Sequence, residues 1–245
     1  MTYLRLEGKV ALVTGASRGI GRAIASAYAQ EGANLICTAR SEDKLNETVE
    51  TIRELGGSAF AVKADITAAK EVQKLFEFTA ERFGGLDILV VNAGMSSGYQ
   101  SVESGDPEVW RQTIETNLFG AYSCIKEAIP LLKARGAGKI ITLGSGLGHN
   151  GRPGGSAYAC SKAALWMLTQ VVAQELTEHN ISVNELVPGP VETGMLSDEF
   201  RKNVVEKEHE WLKTPEEVCE LALFLATQPD NGPSAQSFSL MRRAR

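Results

Sequence analysis

Short apolar runs alternate with longer stretches of helical period along the whole chain. Residues 9–13 (KVALV) form the first apolar run, and a helical pattern follows over 20–31. The same alternation predicts strands over 34–38, 59–63, 86–91, 139–143 and 181–187. Helices are predicted over 42–55, 69–83, 107–134 and 158–179, and from the capping sequence at Thr214 to about 226, with a last short strand over 236–240. Asp106 and Pro107 suit the N-cap and first position of a helix, and Thr214-Pro215-Glu216-Glu217 reads as a capping box.

The predicted strands are apolar runs instead of alternating ones. Such strands are buried on both faces, as in parallel sheets covered by helices. Right-handed crossovers then wind the chain to both sides of the sheet. The expected fold is α/β: a single doubly wound Rossmann-type domain over 1–245, with a mainly parallel seven-stranded sheet flanked by helices. In such folds the ligand crevice lies at the carboxyl ends of the strands.

Composition narrows the function classes. Hydrophobic residues make up 43% of the chain and charged residues 22%, enough for a sizeable core. The net charge of −5 gives no reason to expect a nucleic-acid partner. No apolar stretch reaches the ~18 residues of a membrane span, and residues 1–9 hold no apolar signal core. Cys37, Cys124, Cys160 and Cys219 lack metal-ligand spacing, so reduced cysteines, no metal and a cytoplasmic location are expected.

The first strand runs into Thr14-Gly15-Ala16-Ser17-Arg18-Gly19-Ile20-Gly21, and a helix follows. Glycines allow a tight turn and close backbone approach to a pyrophosphate, and the unpaired N–H groups of the helix start favour the anion. Taken alone, the turn also serves as a connection with no ligand. Asp65 ends the third strand, where its carboxylate is placed to accept from an adenine amino group; alone it is more often a turn or helix-capping residue, and together with the glycine loop the balance reverses. Asn92-Ala93-Gly94 ends the fourth strand with small residues that let an adenosine lie close.

The end of the second strand, Cys37-Thr38-Ala39-Arg40-Ser41, lacks the acidic residue that binds the ribose 2′-hydroxyl of NAD. Arg40 and Arg18 instead suit the 2′-phosphate of NADP, since a guanidinium donates two parallel hydrogen bonds. NADP(H) is therefore expected in preference to NAD(H).

Tyr158 and Lys162 stand four residues apart on a predicted helix, so their side chains share a face. An unperturbed phenol, with a pKa of about 10, exchanges protons poorly near neutrality. A neighbouring ammonium and a bound oxidised nicotinamide favour the phenolate, which makes the pair a tuned acid/base. Ser145 ends the fifth strand, where its hydroxyl suits a substrate oxygen, and Asn117 lies where it would bend the long helix and hold a water that links Lys162 to solvent.

These residues carry a resemblance. TGASRGIG at 14–21, Asp65, NAG at 92–94, Asn117, Ser145, YACSK at 158–162 and PGPVETGM at 188–195 occur in the order and spacing of the short-chain dehydrogenase/reductase family. The chain resembles that family from Lys9 to about Leu240, and its glycine loop and Tyr-Lys region are similar to those of 3-oxoacyl thioester reductases. The resemblance implies a catalytic tetrad of Asn117, Ser145, Tyr158 and Lys162. It implies cofactor contacts from Gly15, Ser17, Arg18, Gly19, Ile20, Gly21, Arg40, Asp65, Ile66, Asn92, Ala93, Gly94, Tyr158, Lys162, Pro188, Gly189, Val191 and Thr193. Lys162 would bond the nicotinamide ribose; Val191 and Thr193 would meet the carboxamide. It also implies a homotetramer or homodimer and no catalytic metal. The C-terminal SFSLMRRAR departs from the family's usual ending.

The expected activity is hydride transfer between NADP(H) and a carbonyl or secondary alcohol, with a 3-oxoacyl thioester as first substrate. A sugar, polyol or other small-ketone enzyme, a dehydratase or epimerase, and a non-catalytic NADP(H) sensor remain alternatives. A segment over about 190–213 is expected to cover the substrate. His149 is read as a solvated loop residue and Cys160 as a small packing residue.

Overall fold

The computed structural model describes residues 4–96, 100–196 and 211–241. Its strands are β1 (Val10–Thr14), β2 (Asn34–Ala39), β3 (Ser58–Lys63), β4 (Ile88–Val91), β5 (Gly138–Leu143), β6 (Ile181–Val187) and β7 (Ser237–Ser239). The helices are α1 (Gly19–Gln30), α2 (Glu42–Glu54), α3 (Ala69–Phe83), α4 (Pro107–Ile114), α5 (Gly120–Ala134), α6 (Ser156–Glu175) and α7 (Cys219–Ala226). The strands form one parallel sheet in the order β3-β2-β1-β4-β5-β6-β7, so the expected doubly wound α/β fold is the observed one.

Alternation along β1 shows how the layers form. Ala11 and Val13 join the core under α1, α2 and α7, whereas Val10 and Leu12 join the core under α3, α5 and α6. Successive side chains point to opposite faces, so an apolar run fills both layers at once. The chain winds outward from β1 through β2 to β3, then returns to β4 on the other side of β1. Loops leaving β1 and β4 therefore diverge and open a crevice at their carboxyl ends.

One predicted helix is interrupted. The run over 107–134 is α4, a single π-turn (Glu115–Phe119) and α5. The wider turn presents Asn117 inward, where it is buried. Asp106 caps α4 as expected, accepting from the Glu108 N–H at 2.8 Å. The Glu217 carboxylate accepts from the Thr214 N–H at 2.7 Å, the reciprocal half of the expected capping box.

The segment over 190–213 is described only at its ends. Val191 and Lys213 form a parallel bridge, the Glu192 N–H donates to the Lys213 carbonyl at 2.7 Å, and the Lys213 N–H to the Pro190 carbonyl at 3.1 Å. Residues 197–210, with the polar stretch Glu206–Glu210, and the basic tail 242–245 lie outside the described residues. Among the described residues no helix is long and apolar enough to cross a membrane, and no cluster of metal-ligating side chains occurs.

Candidate active site

The crevice at the carboxyl ends of β1, β2 and β4 is a cleft of about 370 Å³. It brings together Gly15, Ser17, Arg18, Gly19, Ile20, Arg40, Asp65, Ile66, Asn92, Ala93, Gly94 and Thr193 from the sequence-derived set. Gly21 stands just behind it. A Cβ on Gly21 would lie 2.4 Å from Asn92 Nδ2 and 2.4 Å from the Gly15 carbonyl oxygen, and one on Gly15, at φ +69°, would lie 2.8 Å from Asn92 Nδ2. Asn92 is itself pinned, donating to the Thr14 carbonyl at 2.8 Å. Thr14 Oγ1 accepts from the N–H groups of Asn92 and Ala93, both at 3.0 Å. These bonds hold the glycine turn against the end of β4. Helix α1 starts at Gly19 with no side-chain cap, so its first N–H groups face the cleft unpaired by a capping side chain. A turn whose Gly15 and Gly21 leave no room for a side chain, ending on a helix N-terminus, fits the pyrophosphate of a dinucleotide.

At the other end of the cleft Arg40 keeps 69% of its side chain exposed and stands 3.9 Å from Asp65. Asp65 Oδ1 accepts from both the Thr67 N–H (2.9 Å) and Thr67 Oγ1 (2.8 Å), so one oxygen is already committed to a turn. Thr38, Ser41 and Lys44 line this end as well. Sequence reading missed Lys44, although its place in the first turn of α2, one turn after Arg40, was the available signal.

The four tetrad positions lie beyond this cleft and come from two elements, the π-turn and α6, and one loop, that after β5. Asn117 accepts from the Met95 N–H at 2.8 Å, and its Nδ2 donates to the Met95 carbonyl at 2.9 Å and to Ser161 Oγ at 3.0 Å. Ser161 Oγ donates onward to the Tyr158 carbonyl at 2.7 Å. Both amide hydrogens of Asn117 are thus used, so the side chain ties the loop after β4 to the first turn of α6. A water joining Asn117 to Lys162 would have to use the backbone carbonyl.

Lys162 is 5% exposed and its Nζ donates to the Leu143 carbonyl at the end of β5, at 2.6 Å. Burial pushes its pKa down to about 8, because a dry interior disfavours the ammonium, while the nearby Glu185 carboxylate opposes that fall. Nζ lies 5.8 Å from the centre of the Tyr158 ring. Two residues past Leu143, Ser145 Oγ accepts from the Leu147 N–H at 3.2 Å, which leaves its own hydrogen to donate elsewhere. The loop carrying Pro188, Gly189 and Val191 follows β6; Pro188 and Val191 are buried behind the cleft. Thr193 Cγ2 would be 3.1 Å from a Cβ on Gly19, so this loop closes onto the glycine turn.

Two expectations are corrected. His149 is not a free solvated side chain: only 31% of it is exposed, and its Nε2 sits 2.7 Å from Oε2 of the fully buried Glu185. Cys160 is exposed on α6 and does not pack. Glu185 itself was missed. A carboxylate inside a strand expected to be buried on both faces demands a partner, and that was the signal.

A model of the short chain dehydrogenase family matches residues 9–204. The chain is 39% identical over 201 residues to the 3-oxoacyl-[acyl-carrier-protein] reductase FabG of Staphylococcus aureus, covering 80% of this chain and 81% of that protein. Its fold is similar to a short-chain type dehydrogenase/reductase from Mycobacterium marinum (TM-score 0.91, 32% identity, 97% of this chain and 96% of that one). It is also similar to a 7α-hydroxysteroid dehydrogenase solved with NADH and 7-oxo glycochenodeoxycholic acid (TM-score 0.90, 32% identity, 98% and 95%).

Proposed function

The chain belongs to the short-chain dehydrogenase family, and from that premise we propose that it moves a hydride between NADP(H) and a carbonyl or secondary alcohol, acting as a single unit over 1–245. The observation that carries this reading is the buried Lys162 one helical turn beyond Tyr158, beside a glycine cradle shaped for a dinucleotide. A bound reduced nicotinamide supplies the hydride. Ser145 donates a hydrogen bond to the substrate oxygen and fixes it near the phenol. Tyr158 delivers its proton to that oxygen as negative charge develops there; in the reverse direction its phenolate takes the proton. The Lys162 ammonium lowers the cost of the phenolate. Asn117 holds α6 and the loop after β4 in register. Pro188, Gly189, Val191 and Thr193 would form the wall that holds the nicotinamide.

For the cofactor, Arg40, Arg18 and Lys44 favour the extra phosphate of NADPH, and no carboxylate at the end of β2 selects the bare ribose. Arg40→Ala is expected to weaken NADPH binding about tenfold, the loss of one charged hydrogen bond, and to leave NADH binding nearly unchanged. Titration of both cofactors against both proteins by fluorescence checks this; equal losses would overturn the preference.

A 3-oxoacyl thioester is the first substrate proposed, supported by the similarity to the Staphylococcus aureus reductase. A ketone on a larger ring system is the second reading, supported by the similarity to the hydroxysteroid enzyme. NADPH oxidation over a panel of acyl thioesters, sugars and steroid ketones tests both, and tight cofactor binding with no oxidation on any of them favours a sensor instead.

Assembly follows from exposed apolar side chains. Phe119, Tyr122, Met167 and Val171 are exposed on α5, α6 and the turn before α5, and Phe224 is exposed on α7. Exposed apolar side chains on both helical layers support a homotetramer, or a homodimer if one layer is used. Sedimentation should give four or two times the 26.4 kDa chain, and a single-chain mass would contradict it. The free Cys37, Cys124, Cys160 and Cys219 fit a reducing compartment, which we take to be the cytoplasm.

A further inference from the structure

Among the described residues Glu185 is the only buried carboxylate. It lies in β6 opposite Thr142 of β5. Its Oε2 accepts from Ser237 Oγ at 2.5 Å and meets His149 Nε2 at 2.7 Å, while Oε1 has no hydrogen-bond partner among the described residues. Oε1 lies flat on the backbone of Gly144, where a Cβ would be only 1.9 Å away. The carbonyl one residue earlier, that of Leu143, is the one that holds Lys162 Nζ. Carboxylate and ammonium therefore flank the same two residues at the end of β5 without forming a direct ion pair. A buried ionised oxygen left without a hydrogen bond is costly, and a nearby opposite charge in the same dry region offsets that cost.

We propose that Glu185 is a positioning residue for the proton-transfer pair: its buried negative charge keeps the Lys162 side chain in the ammonium form, and Lys162 in turn acts on Tyr158. This rests on the roles given above to Tyr158 and Lys162. Among the described residues the groups facing Lys162 are few. Its own helix supplies the Tyr158 ring, the end of β5 supplies the Leu143 carbonyl, and β6 supplies Glu185. The loop after β5 packs Gly148 on the Lys162 backbone and turns His149 onto Glu185. Asn117 is neutral and committed to Met95 and Ser161. Burial favours the neutral amine, and of these groups Glu185 opposes it. The sign follows: with Glu185 neutralised, Lys162 gives up its proton at lower pH, and whatever needs the ammonium is lost earlier as pH rises.

The test is the pH dependence of two quantities, NADPH affinity by fluorescence and turnover on the best carbonyl of the panel, from neutral to alkaline conditions. Glu185→Gln keeps the shape and removes the charge. It should move the alkaline midpoint of both quantities to lower pH by about one unit, the scale of one nearby charge on a buried group. Ser237→Ala removes a hydrogen bond from the carboxylate and keeps its charge, so its midpoint should stay with the parent's. If the buried amide unfolds the protein, Glu185→Met, similar in volume and apolar, should fold and show the same shift. An unmoved midpoint in a folded neutral variant overturns the proposal. So does an equal shift in Ser237→Ala, which would mean that the carboxylate only braces the loop. A parent protein that binds no NADPH would instead sink the functional reading beneath it.

Discussion

Tyr158→Phe is expected to bind NADPH as the parent protein does and to lose turnover by between about a hundredfold and ten-thousandfold, the usual worth of a positioned general acid. In free energy that is about 3–5 kcal/mol of the barrier. The ring is half-buried in the first turn of α6, and removing one hydroxyl leaves its packing intact. Phenylalanine has no proton to give, so the developing alkoxide must take one from water. The residual rate would come from orientation by Ser145 and the nicotinamide wall. Affinity by fluorescence and kcat by NADPH oxidation separate the two effects; a near-parental kcat would remove Tyr158 from its role.

Gly21→Ala is expected to act through the cradle. Its Cβ would stand 2.4 Å from Asn92 Nδ2 and from the Gly15 carbonyl oxygen, and neither is the loose end of a flexible chain. Asn92 is pinned by the Thr14 carbonyl at 2.8 Å, so the turn or the end of β4 must move. Overpacking of this kind costs about 1–3 kcal/mol of stability. A displaced turn also pulls its N–H groups off the pyrophosphate, which should weaken NADPH binding by at least about tenfold. Gly151→Ala is the control, since a Cβ there meets nothing within 4 Å and its backbone is not left-handed. It should change neither melting temperature nor affinity. Equal behaviour of the two variants would mean that the cradle is looser than described.

How much of this was legible in the sequence depended on the range over which the signal acts. Local signals were read well. The apolar runs mark six strands within two residues of their observed ends, and Asp106 and Glu217 cap as their spacing requires. Tyr158 and Lys162 are related by one helical turn, so their shared face needed no tertiary knowledge. The π-turn at Glu115–Phe119 was foreseen only as a bend at Asn117, because the bonds made there are tertiary: the buried Asn117 amide reaches Met95, 22 residues away, and Ser161, 44 residues away.

The pairing of Glu185 with His149 was illegible for the same reason. They are 36 residues apart, and they meet because the loop after β5 folds back over the neighbouring β6. Arg40 and Asp65 were read separately, one for phosphate and one for adenine. The parallel pairing of β2 with β3 sets them 3.9 Å apart, so each also acts on the other.

Transfer of deuterium tests the central claim most directly. With NADPH carrying deuterium at the transferable position of its nicotinamide, the parent protein should turn a carbonyl substrate into an alcohol with one deuterium on the former carbonyl carbon, read by mass spectrometry. Tyr158→Phe should give the same labelled alcohol far more slowly. A cofactor that binds tightly and never passes its label to any carbonyl would contradict the account.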